Sequence, residues 1–170
     1  MTSAVILTDV DKGVIYQNRK PVIVEQIRHL KQMVPEVMVI TDSPMDYLPA
    51  VQSAARILSY YNHRGSVLAG LHTALTLCKE TDIWLLHESM ECLPRKSLLY
   101  YLQQEKQQVK EPAIILPNKK SGPYYGLYDK KLLPMLNDAL QNVNSLENIL
   151  DFACYARQAR GELEFMQMNK

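Results

Sequence analysis

The chain has 170 residues, 47% of them hydrophobic, enough for one domain with a full core. Lysine and arginine number 19 against 18 acids, a formal net charge of +1, so no broad basic field draws nucleic acid or anionic lipid. No apolar stretch approaches the roughly 18 residues of a membrane span, and no cationic, apolar and small-residue sequence of a leader opens the chain, so a soluble cytoplasmic protein is expected.

Short apolar runs alternate with longer amphipathic segments, the pattern of βαβ units. The first expected strand is Ala4 to Leu7. A helix over Val22 to Val34 follows, with Val22, Ile23, Ile27, Leu30 and Val34 near one face and Arg28, Lys31 and Gln32 turned to water, until Pro35 stops it. Strands are predicted at Val37 to Thr41 and Arg56 to Ser59. The helix Ser66 to Lys79 opens on a serine cap and carries Val67, Leu71, Ala74, Leu75 and Cys78 at helical spacing. Then come a strand at Ile83 to His87, a helix at Pro94 to Gln104, strands at Ala113 to Leu116 and around Tyr124 to Tyr128, and a helix at Lys130 to Gln141. A last helix, Ser145 to Arg157, is preceded by the cap candidate Asn144 with Glu147 three residues on, and a late strand falls near Leu163 to Met168.

Parallel strands joined by helices predict one α/β domain over residues 1–170, a single doubly wound, mostly parallel sheet with helices on both faces. Ligands of such sheets bind beyond the carboxyl ends of the strands. Cys78, Cys92 and Cys154 are widely spaced and form no CxxC pair, so they read as buried free thiols. His29, His63, His72 and His87 show no spacing that would place two on one helix face, and no histidine-held metal is expected.

Five segments carry a family likeness. Val10-Asp11-Lys12-Gly13 is followed seven residues later by Lys20-Pro21, with Arg19 just before them. Val37 to Asp42 makes a strand and its end. Gly65-Ser66-Val67-Leu68-Ala69-Gly70-Leu71, the tract from Trp84 to Pro94, and Pro123 to Leu136 complete the set. In this order they resemble the D-K and G-K-P elements, the second strand, G-P-L-A-G-L, ACDMPFLP and P-L-x-x-L-Y-x-x-x-x-L-P-x-L of the molybdenum cofactor guanylyltransferases, the MobA family. The resemblance spans nearly the whole chain and implies a Rossmann-like nucleotidyltransferase fold. It also implies an enzyme that joins GMP from GTP to molybdopterin with magnesium and releases pyrophosphate.

The departures from that pattern converge on the phosphates. The family carries a glycine-rich loop, L-A-G-G-x-S-x-R-M-G, directly after the first strand, and about eight residues of it are absent between Leu7 and Val10. Asp9 sits in the shortened turn, where a carboxylate repels a triphosphate unless a cation intervenes. Arg19 replaces the glycine of G-K-P. The metal-bearing aspartate of C-D-M-P maps to Ser89 and the acid ahead of L-A-G to Ser59; a hydroxyl is a poor magnesium ligand beside a carboxylate. Glu88 is adjacent to Ser89, but successive residues of an extended segment point to opposite sides. The late N-x-N-T-P motif survives only as Gln167 and Asn169 at the chain's end.

The nucleotide-binding candidates that the resemblance leaves are Leu7, Thr8, Lys12, Lys20, Asp42 and Gly70, with Ser59 and Ser89 marking lost acids; no catalytic residue and no metal ligand is assigned. Among other features, His72 reads as a core histidine, the pairs Tyr60-Tyr61, Tyr100-Tyr101 and Tyr124-Tyr125 as split between core and surface, and Lys119-Lys120-Ser121-Gly122 as a solvated turn. Two readings stand. In the favoured one the domain has lost guanylyl transfer and binds a ligand or partner: molybdopterin, a nucleotide or a molybdenum-enzyme maturation protein. In the alternative it is an active nucleotidyltransferase using GTP and magnesium through a rebuilt site of Lys12, Lys20, Glu88 and Asp42. Neither reading involves nucleic acid or a membrane.

Overall fold

All six residues of the first strand, β1 (Thr2–Leu7), are buried, because this strand lies at the centre of the sheet with a neighbour on each edge. The computed structural model of the protein describes residues 1–9, 12–60, 66–90, 93–109, 114–115 and 124–142. The expected helix Ser145 to Arg157 with its Asn144 cap, the late strand Leu163 to Met168, and the tail residues Gln167 and Asn169 lie outside the described residues, as do Cys92, Cys154, Tyr61, His63 and Lys119 to Gly122.

After β1 come a short hairpin, β2 (Tyr16–Gln17) and β3 (Lys20–Pro21), then α1 (Val22–Leu30), β4 (Glu36–Ile40), α2 (Pro44–Val51), β5 (Arg56–Leu58) and α3 (Val67–Leu77). The chain continues through β6 (Asp82–His87), α4 (Lys96–Gln108), β7 (Ile114–Ile115), β8 (Leu127–Asp129) and α5 (Leu133–Asn142). The main sheet has the order β5-β4-β1-β6-β8-β7. β1 runs parallel to β4 and β6, and β4 to β5, while β8 is antiparallel to both β6 and β7. The sheet is therefore mostly parallel, as expected, with β8 the reversed strand among the six.

Side chains alternating along β1 divide the core in two. Val5 and Leu7 pack with Leu68, Leu71 and Leu75 of α3 and Leu136 of α5. Ala4 and Ile6 face the other way, onto Ile23 and Ile27 of α1, Tyr47 of α2 and Leu99 and Leu102 of α4. Helices thus cover both faces, the doubly wound arrangement. Polar residues at the sheet's amino end are buried only with partners: Glu36 accepts from Ser3 Oγ (2.6 Å), Arg56 Nη1 (2.6 Å) and Lys79 N–H (2.9 Å). Burial raises the Glu36 carboxyl, but these donors outweigh it and hold the group below its ordinary range.

Several boundaries differ from expectation for local reasons. α1 ends at Leu30 because the chain tightens into a turn, Gln32 N–H donating to His29 and Met33 N–H to Leu30, before Pro35. α4 starts at Lys96, two residues after Pro94, whose carbonyl lies 2.7 Å from His29 Nε2. Lys130 to Leu132 form one 3-10 turn, Asp129 accepting from Lys131 N–H, before α5 begins. Ser66 caps α3 as expected, its hydroxyl oxygen accepting from Ala69 N–H at 3.0 Å. The helix α2 had no counterpart among the expected elements: Pro49 inside it masked the pattern, although Ser43-Pro44 is a common helix opening.

The β2–β3 hairpin turns through Asn18 (φ 50°) and Arg19 (φ 63°), a two-residue connection in the left-handed region. Asparagine tolerates that conformation, but a residue with a longer side chain is strained there. Arg19→Gly is therefore expected to stabilise the fold by roughly 0.5–1 kcal/mol, the relieved strain exceeding the extra unfolded-state entropy. A thermal melt checks this, and an unchanged or lower midpoint counts against a strained turn.

Candidate functional site

The carboxyl ends of β1, β4, β5 and β6 line up through backbone bonds that continue the ladder: Thr8 N–H to Ile40 (3.2 Å), Thr41 N–H to Leu58 (3.1 Å) and Glu88 N–H to Leu7 (2.9 Å). This edge carries Thr8 and Asp9, Asp42, Ser59 and Tyr60, and His87, Glu88 and Ser89. It is where ligands of doubly wound sheets bind.

Asp9 is the charge around which this edge is arranged. Its Oδ2 lies 2.8 Å from Lys12 Nζ, and its Oδ1 lies 3.3 Å from His87 Nε2. The Lys12 bond is the main cause that holds the Asp9 carboxyl below its ordinary range, with His87 adding to it against a modest cost of burial. On the far side of the His87 ring, Nδ1 lies 2.7 Å from Ser89 Oγ and accepts the Ser89 backbone N–H at 3.2 Å. A backbone amide can only donate, so Nδ1 is the acceptor and the ring proton sits on Nε2, toward Asp9. Burial, more than any neighbour, holds His87 below the usual histidine range, so it is neutral at pH 7.

Tyrosines wall this group. The ring of Tyr124 lies 4.8 Å from that of His87, tilted by 49°. Burial and the nearby Asp9 push the Tyr124 phenol up to about 12, and burial with Asp42 and Asp9 does the same to Tyr60. Both stay neutral phenols. Of the tyrosine pairs, Tyr100-Tyr101 divides as expected, Tyr101 partly buried beside the exposed Tyr100, whereas Tyr124 and Tyr125 both pack on the core, one on the face of Val5 and Leu7 and the other on that of Ala4 and Ile6.

Glu88 turns away from this surface. It is 1% exposed, its Oε1 accepts Ile15 N–H at 3.0 Å and its Oε2 lies 2.6 Å from the Tyr47 hydroxyl. That hydroxyl is also 2.8 Å from the Gly13 carbonyl. The Tyr47 hydroxyl is thus the shared donor for two acceptors, the Glu88 carboxyl and the Gly13 carbonyl. Burial raises the Glu88 carboxyl above its ordinary range, against the Tyr47 and Ile15 donors that lower it. Gln26 holds the backbone of the same turn, Nε2 donating to the carbonyls of Glu88 (3.0 Å) and His87 (3.4 Å).

The other expected residues are placed as follows. Lys20 is exposed on β3 and lines an open cleft of about 460 Å³ with Gln26, Met90 and Leu93. Leu7 and Gly70 meet in the core: a Cβ at position 70 would lie 2.8 Å from Leu7 Cδ2 and 3.3 Å from Tyr60 Cε1, so the glycine lets α3 approach β1. Thr8 is buried, Asp42 half-buried, and Ser59 and Ser89 exposed. His72 is a core histidine bonded through Nε2 to Asn137 Oδ1 at 2.6 Å. Cys78 is a buried thiol, its pKa raised by burial. Tyr47 and Gln26 were not anticipated. The spacing of Tyr47 and Val51, four apart after Ser43-Pro44, was the available signal.

The donor set does not suit magnesium. Both Asp9 oxygens face cationic or N–H groups, Glu88 is turned inward, and among the described residues no three His, Cys, Asp or Glu side chains converge as a metal site. Among the described residues, no helix is long and apolar enough to cross a membrane.

No family model matches the chain. A stretch of 89 residues is 27% identical to a protein of Aquifex aeolicus (strain VF5) described as "Probable molybdenum cofactor guanylyltransferase", covering 52% of this chain and 42% of that protein. The match thus takes in less than half the length of that curated relative. Among solved structures, the chain is similar to 4-diphosphocytidyl-2C-methyl-D-erythritol synthase from Anaerococcus prevotii DSM 20548 (TM-score 0.68, 13% identity, 99% of this chain and 89% of that one). A nucleotidyl transferase of Methanothermobacter gives a TM-score of 0.67 at 14% identity, covering 100% of this chain and 88% of that one. A further protein of Aquifex aeolicus VF5 gives 0.67 at 18%, over 99% and 93%. The chain has the Rossmann-like nucleotidyltransferase fold.

Glu88→Gln supplies the same donor and acceptor as the protonated acid, so it is expected to match or exceed the wild type in stability at pH 8. A raised carboxyl contributes its full stability below the ordinary glutamate value and loses it as pH rises through the folded value. The wild type should therefore weaken relative to Glu88→Gln from about pH 4.5 upward. Glu88→Leu, which orphans Ile15 N–H, should cost about 1–3 kcal/mol at every pH. Urea melts of the three proteins across pH 5 to 8 decide this, and a Glu88→Gln variant weaker than wild type at pH 8 refutes a raised Glu88 carboxyl.

Proposed function

We propose that this chain is a MobA-like domain that no longer transfers guanylyl groups and serves as a ligand- or partner-binding module in molybdenum-enzyme maturation. Molybdopterin, a nucleotide or a maturation protein is what it holds. The observation that carries this reading is the Asp9–Lys12 ion pair at 2.8 Å. Nucleotidyl transfer depends on cations and backbone donors placed to receive charge that builds on phosphate oxygens. Where the likeness to guanylyltransferases would put a phosphate-gripping loop, this chain has a carboxylate that has taken the nearby lysine.

The residues on this edge support binding rather than transfer. Asp9 repels an incoming triphosphate, and a phosphate would have to displace it to reach Lys12. Glu88 is committed to Tyr47 and Ile15, and Ser89 offers a hydroxyl where the family places a metal-binding acid. The cleft beside α1, with Lys20 and Glu25 in its wall, and the tyrosine-walled edge are surfaces open to a ligand, and neutral phenols suit a flat heterocycle better than a polyphosphate.

Titration calorimetry with GTP and magnesium tests this directly. The expected result is no heat of binding assignable to the triphosphate and no pyrophosphate release when molybdopterin is added. Turnover above that of a Lys12→Ala control overturns the reading and restores the active enzyme with Lys12, Lys20, Glu88 and Asp42 as its rebuilt site.

A further inference from the structure

Three side chains on the sheet's carboxyl edge stand in the order carboxylate, imidazole, hydroxyl. Asp9 Oδ1 is 3.3 Å from His87 Nε2, and His87 Nδ1 is 2.7 Å from Ser89 Oγ. They come from the ends of two adjacent parallel strands, β1 and β6. The hydroxyl is not needed to close the local turn, because the Ser89 amide already does that at Nδ1 and Met90 N–H closes it again on the His87 carbonyl at 3.2 Å. The ring is buried, the serine is exposed, and the tautomer is fixed with the lone pair toward Ser89. This is the arrangement in which a neutral imidazole, oriented by a carboxylate, takes a proton from an attacking hydroxyl.

We propose that Ser89, His87 and Asp9 form a nucleophilic relay through which Ser89 accepts an acyl group from an activated, uncharged carboxylic ester. Ser89 Oγ bonds to the carbonyl carbon while its proton passes to His87 Nδ1, whose one lone pair is released by the longer Ser89 amide contact at that moment. The bond from that carbon to the leaving oxygen breaks, and the leaving oxygen takes the proton from Nδ1. The product is an acyl ester on Ser89 and a free alcohol or phenol, and water attacking the ester by the same proton route restores the serine. Asp9 is a positioning residue: it holds the ring proton on Nε2 and stabilises the imidazolium that forms between the two transfers.

The class of substrate follows from charge. Lys12 is engaged by Asp9 and so is not free to receive an anionic phosphoester, whereas a neutral ester needs no cation there. The speed follows from the backbone. A nucleophile's own turn commonly supplies the amides that receive the oxyanion, and here the Ser89 and Met90 amides are both bonded to His87. Losing one such donor costs roughly a hundredfold to a thousandfold in rate. The acyl-serine should therefore accumulate rather than turn over quickly. This inference goes beyond the proposed binding role and needs no nucleotide, so it stands or falls apart from that role.

The test uses the full chain with 4-nitrophenyl acetate, reading nitrophenolate release and the position of the acetyl group by peptide mass mapping. The expected result is a burst of about one equivalent with the acetyl group on Ser89, as an accumulating acyl-enzyme gives. Ser89→Ala should abolish that adduct, and His87→Asn should slow its formation by roughly a hundredfold or more. Asp9→Asn, which keeps the shape, should slow it while leaving the folded melting transition in place. Acetylation of Ser89 no faster than in the urea-unfolded chain, or spread over lysines alone, overturns the proposal, as does an unchanged Ser89 rate in Asp9→Asn.

Discussion

The buried carboxyl of Glu88 is the constraint on which the candidate site depends. It stands at the exit of β6 and gathers Ile15 N–H from the segment after β1 and the Tyr47 hydroxyl from α2, while Gln26 of α1 holds its backbone carbonyl. Four pieces of chain therefore meet at one residue. A carboxyl with 1% exposure survives only with its hydrogen-bonding capacity matched, and Ile15 N–H and the Tyr47 hydroxyl supply a donor to each of its oxygens. The consequence reaches the surface: with Glu88 turned inward, the next residue, Ser89, is the one presented outward.

The charges on the outer side follow from the shortened connection after β1. With the turn cut to Thr8-Asp9, a carboxylate arrives directly beyond the strand end, next to the end of β6. It draws Lys12 on one oxygen and faces the His87 ring proton with the other. An isolated imidazole buried among tyrosines would be indifferent to its tautomer. Asp9 and the Ser89 amide together choose one, so the short connection after β1 also orients the imidazole.

The fold was legible in the sequence because its parallel strands are continuous apolar runs, as strands covered on both faces must be. β1, β4 and β6 fell where expected to within a few residues, and so did α3 with its Ser66 cap. What escaped had weak or contradictory local signals. α2 contains Pro49, and the β2–β3 hairpin turns through Asn-Arg rather than a glycine pair. The position of Asp9 in the shortened turn was legible, but its partners were not, since His87 lies 78 positions further on, and their contact is a fact of sheet order. Glu88 was similarly ambiguous: alternation along a strand predicts that neighbours diverge, and only Tyr47 on an unforeseen helix shows which of the two goes inside.

Gly70 shows how a sequence element can be required by packing alone. In a run that resembles a nucleotide-binding segment, this glycine faces the Leu7 side chain so closely that any Cβ would force Leu7 to move. Its requirement is one of packing: the Leu7 side chain, itself buried, fills the space that a Cβ at position 70 would take. Such a residue persists for as long as the sheet and helix pack in this way, whatever is bound at the edge. The ordered motifs of this chain are of that kind where they meet the core. Where they meet the carboxyl edge, at Asp9, Ser59 and Ser89, packing imposes little, and those are positions at which the sequence departs from the resemblance.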